Sequence, residues 1–119
     1  MPDLRVVNRT TDAVLAGRVV RCDTFWKRGV GLMFHRPLAE DEVYLFVLAR
    51  PNVVDAAIHM FFVAFPIAVV WLDTGKRVIH KVLAAPWRPY YAPPKPALYF
   101  LEGHPALLDK VSVDDVLDW

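Results

Sequence analysis

Two polar residues stand in apolar surroundings where side chains of their kind can do chemistry. His59 lies inside IHMFFV, and Glu102 closes ALYFLE. A histidine oriented by a carboxylate can serve as a general base. The structural alternative is a histidine at the edge of the core, satisfied by a carbonyl or a carboxylate, because buried polar groups are generally hydrogen-bonded. No nucleophile accompanies the pair. Cys22, flanked by Arg21 and Asp23, lacks the context that activates a thiolate. Trp87-Arg88 forms a further candidate inside a Pro-rich stretch, since aromatics with Arg are enriched where proteins bind partners. The same residues also serve simply to cover a sheet with a loop. His59, Glu102, Trp87 and Arg88 are therefore the expected ligand-binding residues, and no catalytic residue is assigned.

Other chemistry finds little support. His35, His59, His80 and His104 with Cys22 are the possible metal ligands, and none stands at zinc-type spacing. No metal site and no cofactor are expected. No phosphate loop, dinucleotide fingerprint or serine elbow occurs. Arg18, Arg21, Lys27 and Arg28 make a mild basic cluster that reads as a solvated face. A net charge of +1 gives no electrostatic reason to expect nucleic acid as a partner.

The elements that must position these residues centre on Ile58 to Asp73, IHMFFVAFPIAVVWLD. The run is slightly short for a membrane span, which needs roughly 20 apolar residues. Asp55 and Asp73 bracket it and Pro66 interrupts it. Its Val, Ile, Phe and Trp suit strands. Two buried strands are expected, Ile58 to Val63 and Ile67 to Leu72, with a kink or bulge at Phe65-Pro66. No transmembrane segment is expected. The start of the chain lacks the charged lead and apolar core of a signal peptide, so a cytoplasmic protein is expected.

The rest of the 119 residues fits one domain around one core. The apolar share is 55%, enough for a large core at this length. Leu4 to Val7, Val14 to Arg21, Val43 to Leu48, Arg77 to Leu83, Ala97 to Glu102 and Val116 to Trp119 read as strands. Thr74-Gly75 reads as the hairpin turn before Arg77, with Arg77 and Lys81 exposed. Arg50-Pro51-Asn52 reads as a turn. Asp23 or Thr24 can cap a short helix to about Val30, followed by a plug of Leu32, Met33 and Phe34. Ala84 to Pro96 carries Pro86, Pro89, Pro93, Pro94 and Pro96 with Trp87, Tyr90 and Tyr91. Proline at that density forbids a helix or central strand, so an extended surface segment is expected. Pro105 to Lys110 reads as one helical turn. The sum is a mainly β domain, a sandwich or barrel with one or two short helices.

DTFWKRGVGLMFHRPL, IHMFFVAFPIAVVWLD, APWR and ALYFLEG together resemble the bacterial and archaeal family called domain of unknown function 192. One branch of it reads His-Thr-Phe-Phe-Met-Arg-Phe-Pro-Ile-Asp. This chain matches at His59, Phe61, Phe62, Phe65, Pro66 and Ile67, then at Leu72 and Asp73. Trp87-Arg88 and Leu101-Glu102 match further on. The resemblance covers roughly residues 14 to 119 and implies a compact β-sandwich or barrel-like fold. It brings no activity. The branch's Arg is Ala64 here, and its first Asp is Ala68. If those two pair in relatives, losing both together leaves no uncompensated charge.

Two functions of different class follow. One is a non-enzymatic module binding a small molecule or a protein, as a monomer or weak homo-oligomer. The other is a small hydrolase-like enzyme using His59 and Glu102, which requires the two within hydrogen-bond reach.

Overall fold

The computed structural model describes residues 5–22, 37–60, 63–88 and 90–119. Among these, the strands are β1 (Val6–Asn8), β2 (Ala13–Ala16), β3 (Arg18–Cys22), β4 (Glu42–Asn52), β5 (Ile67–Leu72), β6 (Val78–Ala84), β7 (Ala97–Gly103) and β8 (Leu117–Asp118). A short 3₁₀ turn spans Pro105–Asp109. The strands make a five-stranded sheet, β3-β4-β7-β5-β6, and a three-stranded sheet, β2-β1-β8. Only β3 and β4 run parallel among these pairs. This is the mainly β domain the strand pattern implies.

β5 explains the apolar run. It lies between β7 and β6, and all six of its residues are buried. A strand covered on both faces shows no polar alternation. Ala68, Val70 and Leu72 face the small sheet and meet Val6, Leu15, Ala16 and Leu117. Leu107 and Val111 close one end of that sandwich core. Ile67, Val69 and Trp71 face the other way, with Phe46 and Phe100 from the neighbouring strands. Phe46 and Phe100 are cross-strand partners, their rings stacked with centroids 4.5 Å apart. This second face is roofed by Ala56, Ile58, Met60, Val63 and Phe65 from the chain between β4 and β5. Trp71 anchors the roof: its Nε1 donates to Ala56 O at 2.7 Å.

The Ile58 to Val63 stretch, described at 58–60 and 63, has none of those residues in a strand of either sheet. Its one described bridge pairs Ile58 with Tyr91, in the Pro-rich segment. Prolines offer no N–H, so that segment supports isolated bonds rather than a ladder. No helix among the described residues is long and apolar enough to cross a membrane. The expected helix at Asp23 to Val30, the Leu32 to Phe34 plug, and Lys27, Arg28, His35, Phe61 and Phe62 lie outside the described residues.

Val14 to Arg21 is two strands in different sheets, broken at Gly17. Gly17 N donates to Asp41 Oδ1 at 2.7 Å, and a Cβ there would meet Asp41 Oδ2 at 3.0 Å. A residue without a side chain suits that approach. β4 runs on through Arg50-Pro51-Asn52, where a turn was expected. Pro51 is tolerated because the pairing with β7 is interrupted between Val47 and Asn52. The turn comes next, built by Asn52 Oδ1, which accepts from Val54 N at 2.7 Å and Asp55 N at 3.0 Å.

The hairpin at Thr74-Gly75 forms as read. Asp73 Oδ1 accepts from Gly75 N at 2.9 Å and Arg77 N at 3.0 Å. The left-handed residue there is Lys76, at φ 62°, rather than the glycine. Arg77 is exposed, but Lys81 is half-buried. Lys81 Nζ donates to Leu108 O and to Val111 O, both at 2.7 Å, pinning the 3₁₀ turn to β6. Lys81→Met keeps the stem and removes both bonds, with an expected loss of about 2 kcal/mol. A urea midpoint equal to that of the wild type would show that these bonds contribute nothing net.

Candidate functional site

β7 is central in the large sheet, between β4 and β5. Leu101 joins the sandwich core, while Phe100 belongs to the roofed face. Glu102, one step beyond Leu101, shares the face of Phe100. It stands opposite Tyr44 on one side and Val69 on the other, both part of the roofed cluster. Directly opposed residues point the same way. The strand therefore delivers a carboxyl into apolar surroundings, where the residue is only 7% exposed.

No described residue donates a hydrogen bond to that carboxyl. Among the described residues, every fully buried side-chain nitrogen or oxygen has a partner. The Glu102 oxygens therefore retain some contact with accessible space. Burial pushes the Glu102 pKa up from 4.5 to about 8, since desolvation disfavours the charged form. At neutral pH the group is mostly the acid, with one O–H donor and one carbonyl acceptor to offer.

The other three residues come together elsewhere. Ile58 and Met60 point into the roofed core, and His59 between them is exposed. This stretch is held to the Pro-rich segment by backbone bonds. Ile58 N donates to Tyr91 O at 2.8 Å, Met60 N to Arg88 O at 2.8 Å, and Trp87 N to Met60 O at 3.0 Å. His59, Trp87 and Arg88 thus occupy one outer strip. The Arg88 guanidinium carbon lies 5.7 Å from the centre of the Tyr91 ring. The Tyr91 hydroxyl accepts from Ala85 N at 2.8 Å, fixing the ring. Trp87 is 53% exposed and sits at φ 66°, a left-handed conformation that bulky residues rarely adopt.

Glu102 faces the inner side of the roof and His59 is exposed on it, and among the described residues no hydrogen bond joins them. His80 stacks on Trp71, with ring centroids 5.5 Å apart. Among the described residues no three His, Cys, Asp or Glu side chains are placed to hold a metal ion. Arg18 and Arg21 of the basic cluster are exposed on β3. Ala64 is exposed, whereas Ala68 is fully buried in the sandwich core. The two positions thus differ in their surroundings.

A cleft of about 190 Å³ opens where β5 begins and β7 ends, lined by Leu38, Phe65, Ile67, Gly103, His104 and Pro105 among others. The sequence alone did not single it out. Its one visible signal is His104-Pro105, a polar residue before proline at a helix start.

Fold and site define a small two-sheet β domain with a large sheet covered on both faces. The chain belongs to the DUF192 family, described as uncharacterized ACR, whose profile matches residues 6–119. It is 36% identical over 116 residues to a UPF0127 protein of Thermococcus kodakarensis, covering 96% of this chain and 72% of that one. Two crystal structures share the fold. A protein of unknown function from Novosphingobium aromaticivorans has a TM-score of 0.86 at 23% identity, covering 98% of this chain and 85% of that one. A proposed transcription regulator from Sinorhizobium meliloti has a TM-score of 0.79 at 21% identity, covering 96% and 89% respectively.

Proposed function

We propose that this chain is a non-enzymatic ligand-binding domain, with the Glu102 carboxyl as its recognition group and His59, Trp87 and Arg88 on the strip outside. The observation that carries this reading is the setting of Glu102. An apolar residue would pack at the same place without the cost of burying a carboxyl, which runs to several kcal/mol when no partner compensates it. A position that breaks the packing rule of its own strand is where function is to be sought. The acid form at neutral pH suits a ligand that offers both an acceptor and a donor to it.

Trp87 supports the reading from the outer side. Left-handed backbone at a bulky residue costs about 1–3 kcal/mol, and such strain concentrates at binding sites. Trp87→Gly is therefore expected to raise stability by about 1 kcal/mol, read from the denaturant midpoint, while weakening binding. A fall in stability would remove strain from the account.

The test is a thermal-shift screen of small molecules against the wild type and Glu102→Gln. A ligand at a hundredfold excess over its Kd stabilises by about 3 kcal/mol. The expected hit raises the Tm of the wild type and loses most of that effect in Glu102→Gln. A screen in which every hit keeps its full effect in Glu102→Gln would contradict the assignment of Glu102.

A further inference from the structure

We propose that the cleft between the start of β5 and the end of β7 binds a small neutral carbonyl compound, its apolar body against Leu38, Phe65 and Ile67 and its oxygen accepting the Nε2 hydrogen of His104. This rests on His104 and the cleft rather than on Glu102, so either assignment can fail alone.

The two nitrogens of His104 have different tasks. Nδ1 accepts from Ala106 N at 3.0 Å, capping the 3₁₀ turn. A ring nitrogen that accepts carries no hydrogen, so the neutral ring holds it on Nε2. No described residue accepts from Nε2. Fully buried side-chain nitrogens all have partners among the described residues, so this one stays accessible. His104 is also a wall of the cleft, whose remaining side chains are Pro, Leu, Phe and Ile. The site thus offers an apolar body and one donor of fixed tautomer. Gly103 keeps the end of β7 close to its neighbours: a Cβ there would meet Val43 Cγ1 at 3.1 Å and Leu107 Cδ2 at 3.2 Å. The ring is therefore set on a tightly packed corner.

Size and charge narrow the ligand. An apolar cavity of about 150 Å³ accepts a benzene ring, so a cleft of about 190 Å³ takes a single-ring compound with a short substituent. Apart from His104, the side chains lining the cleft are Pro, Leu, Phe and Ile. An anion would give up its hydration there, at a cost that one neutral donor does not offset. The ligand is accordingly a ketone, aldehyde, ester or amide rather than a carboxylate.

Acetophenone, ethylbenzene and benzoate titrated into the full chain at neutral pH, followed by ¹⁵N–¹H NMR, test this. Acetophenone is expected to shift the amides of Ile67, Gly103 and His104 saturably. Ethylbenzene, which lacks the oxygen, is expected to bind about fivefold more weakly, the effect of one net hydrogen bond, and benzoate also more weakly than acetophenone. His104→Asp keeps an acceptor for Ala106 N–H but no hydrogen to offer, and is expected to erase acetophenone's advantage over ethylbenzene. Glu102→Gln is expected to bind acetophenone as the wild type does. The proposal is overturned if acetophenone gives no saturable shift, if ethylbenzene or benzoate binds as tightly, if the advantage survives in His104→Asp, or if Glu102→Gln abolishes binding.

Discussion

Unfolding measured at pH 5 and pH 8 is expected to show a protein several kcal/mol more stable at the acid end. Glu102 is the cause. Its carboxyl titrates near 4.5 when unfolded and at about 8 when folded. Below pH 4.5 both states hold the proton, and the contribution of this group to stability is at its maximum. As pH rises from 4.5 to 8 the unfolded state gives up the proton and the folded state keeps it. Stability then falls by about 1.4 kcal/mol per pH unit, a loss on the order of 4 kcal/mol between pH 5 and pH 8. Above pH 8 both states are ionised and the dependence ends. Asp118 works in the opposite sense, below this window. Hydrogen bonds from Lys76, Trp119 and Arg9 hold its pKa below 3.8, so its contribution is lost as pH falls through that lower value. Glu102→Gln is expected to flatten the profile between pH 5 and 8 and to exceed the wild type at pH 8. Parallel profiles for the two proteins would show that Glu102 titrates normally.

Trp71→Ala is expected to cost about 3–5 kcal/mol, the range for removing a large buried aromatic. Trp71 is fully buried, and it joins three parts of the fold. Its strand is central, its ring stacks on His80 at the edge, and its Nε1 donates to Ala56 O in the roof. Against a typical total of about 5–15 kcal/mol, the loss leaves a marginal domain. Trp71→Phe separates the terms. It keeps most of the apolar volume and strands the Ala56 carbonyl, for an expected loss of about 1–3 kcal/mol. Guanidinium denaturation of both variants gives the numbers, and a loss under about 1 kcal/mol in Trp71→Ala would mean that the roof repacks without it.

The sequence made the large sheet readable where strand chemistry was unambiguous. Val43 to Leu48, Ile67 to Leu72 and Ala97 to Glu102 are β-branched or aromatic runs, and each lies in a strand of that sheet. The Asp73-Thr74-Gly75 turn and the Pro-rich crossing were legible for the same reason: their residues restrict the backbone locally. What failed depended on partners far away in the chain. Ile58 to Val63 has strand composition, but what lies across from Ile58 is a proline-rich segment, and Ile58, Met60 and Val63 roof the sheet instead. Gly17 marks a change of sheet only because Asp41 waits to receive its N–H. Lys81 looks like a surface lysine until the carbonyls of Leu108 and Val111 are brought to it.

The site was legible in part. Glu102 stood out as a polar residue ending an apolar strand, and its burial follows from the central place of β7, which no local signal gives. The neighbourhood of His59, Trp87 and Arg88 follows from the crossing of the Pro-rich segment over the roof. His104 was read only as a possible metal ligand. Its role as a cap, which fixes its tautomer, required the position of Ala106.

The central claim is that Glu102, buried on the roofed face of the large sheet, carries a proton at neutral pH. The direct measurement is a ¹³C NMR titration of the Glu102 side-chain carboxyl in the folded protein. A midpoint at about 8 is the result predicted by its burial. A midpoint near 4.5, the ordinary glutamate value, would contradict it and leave the carboxyl a solvated charge with no special role.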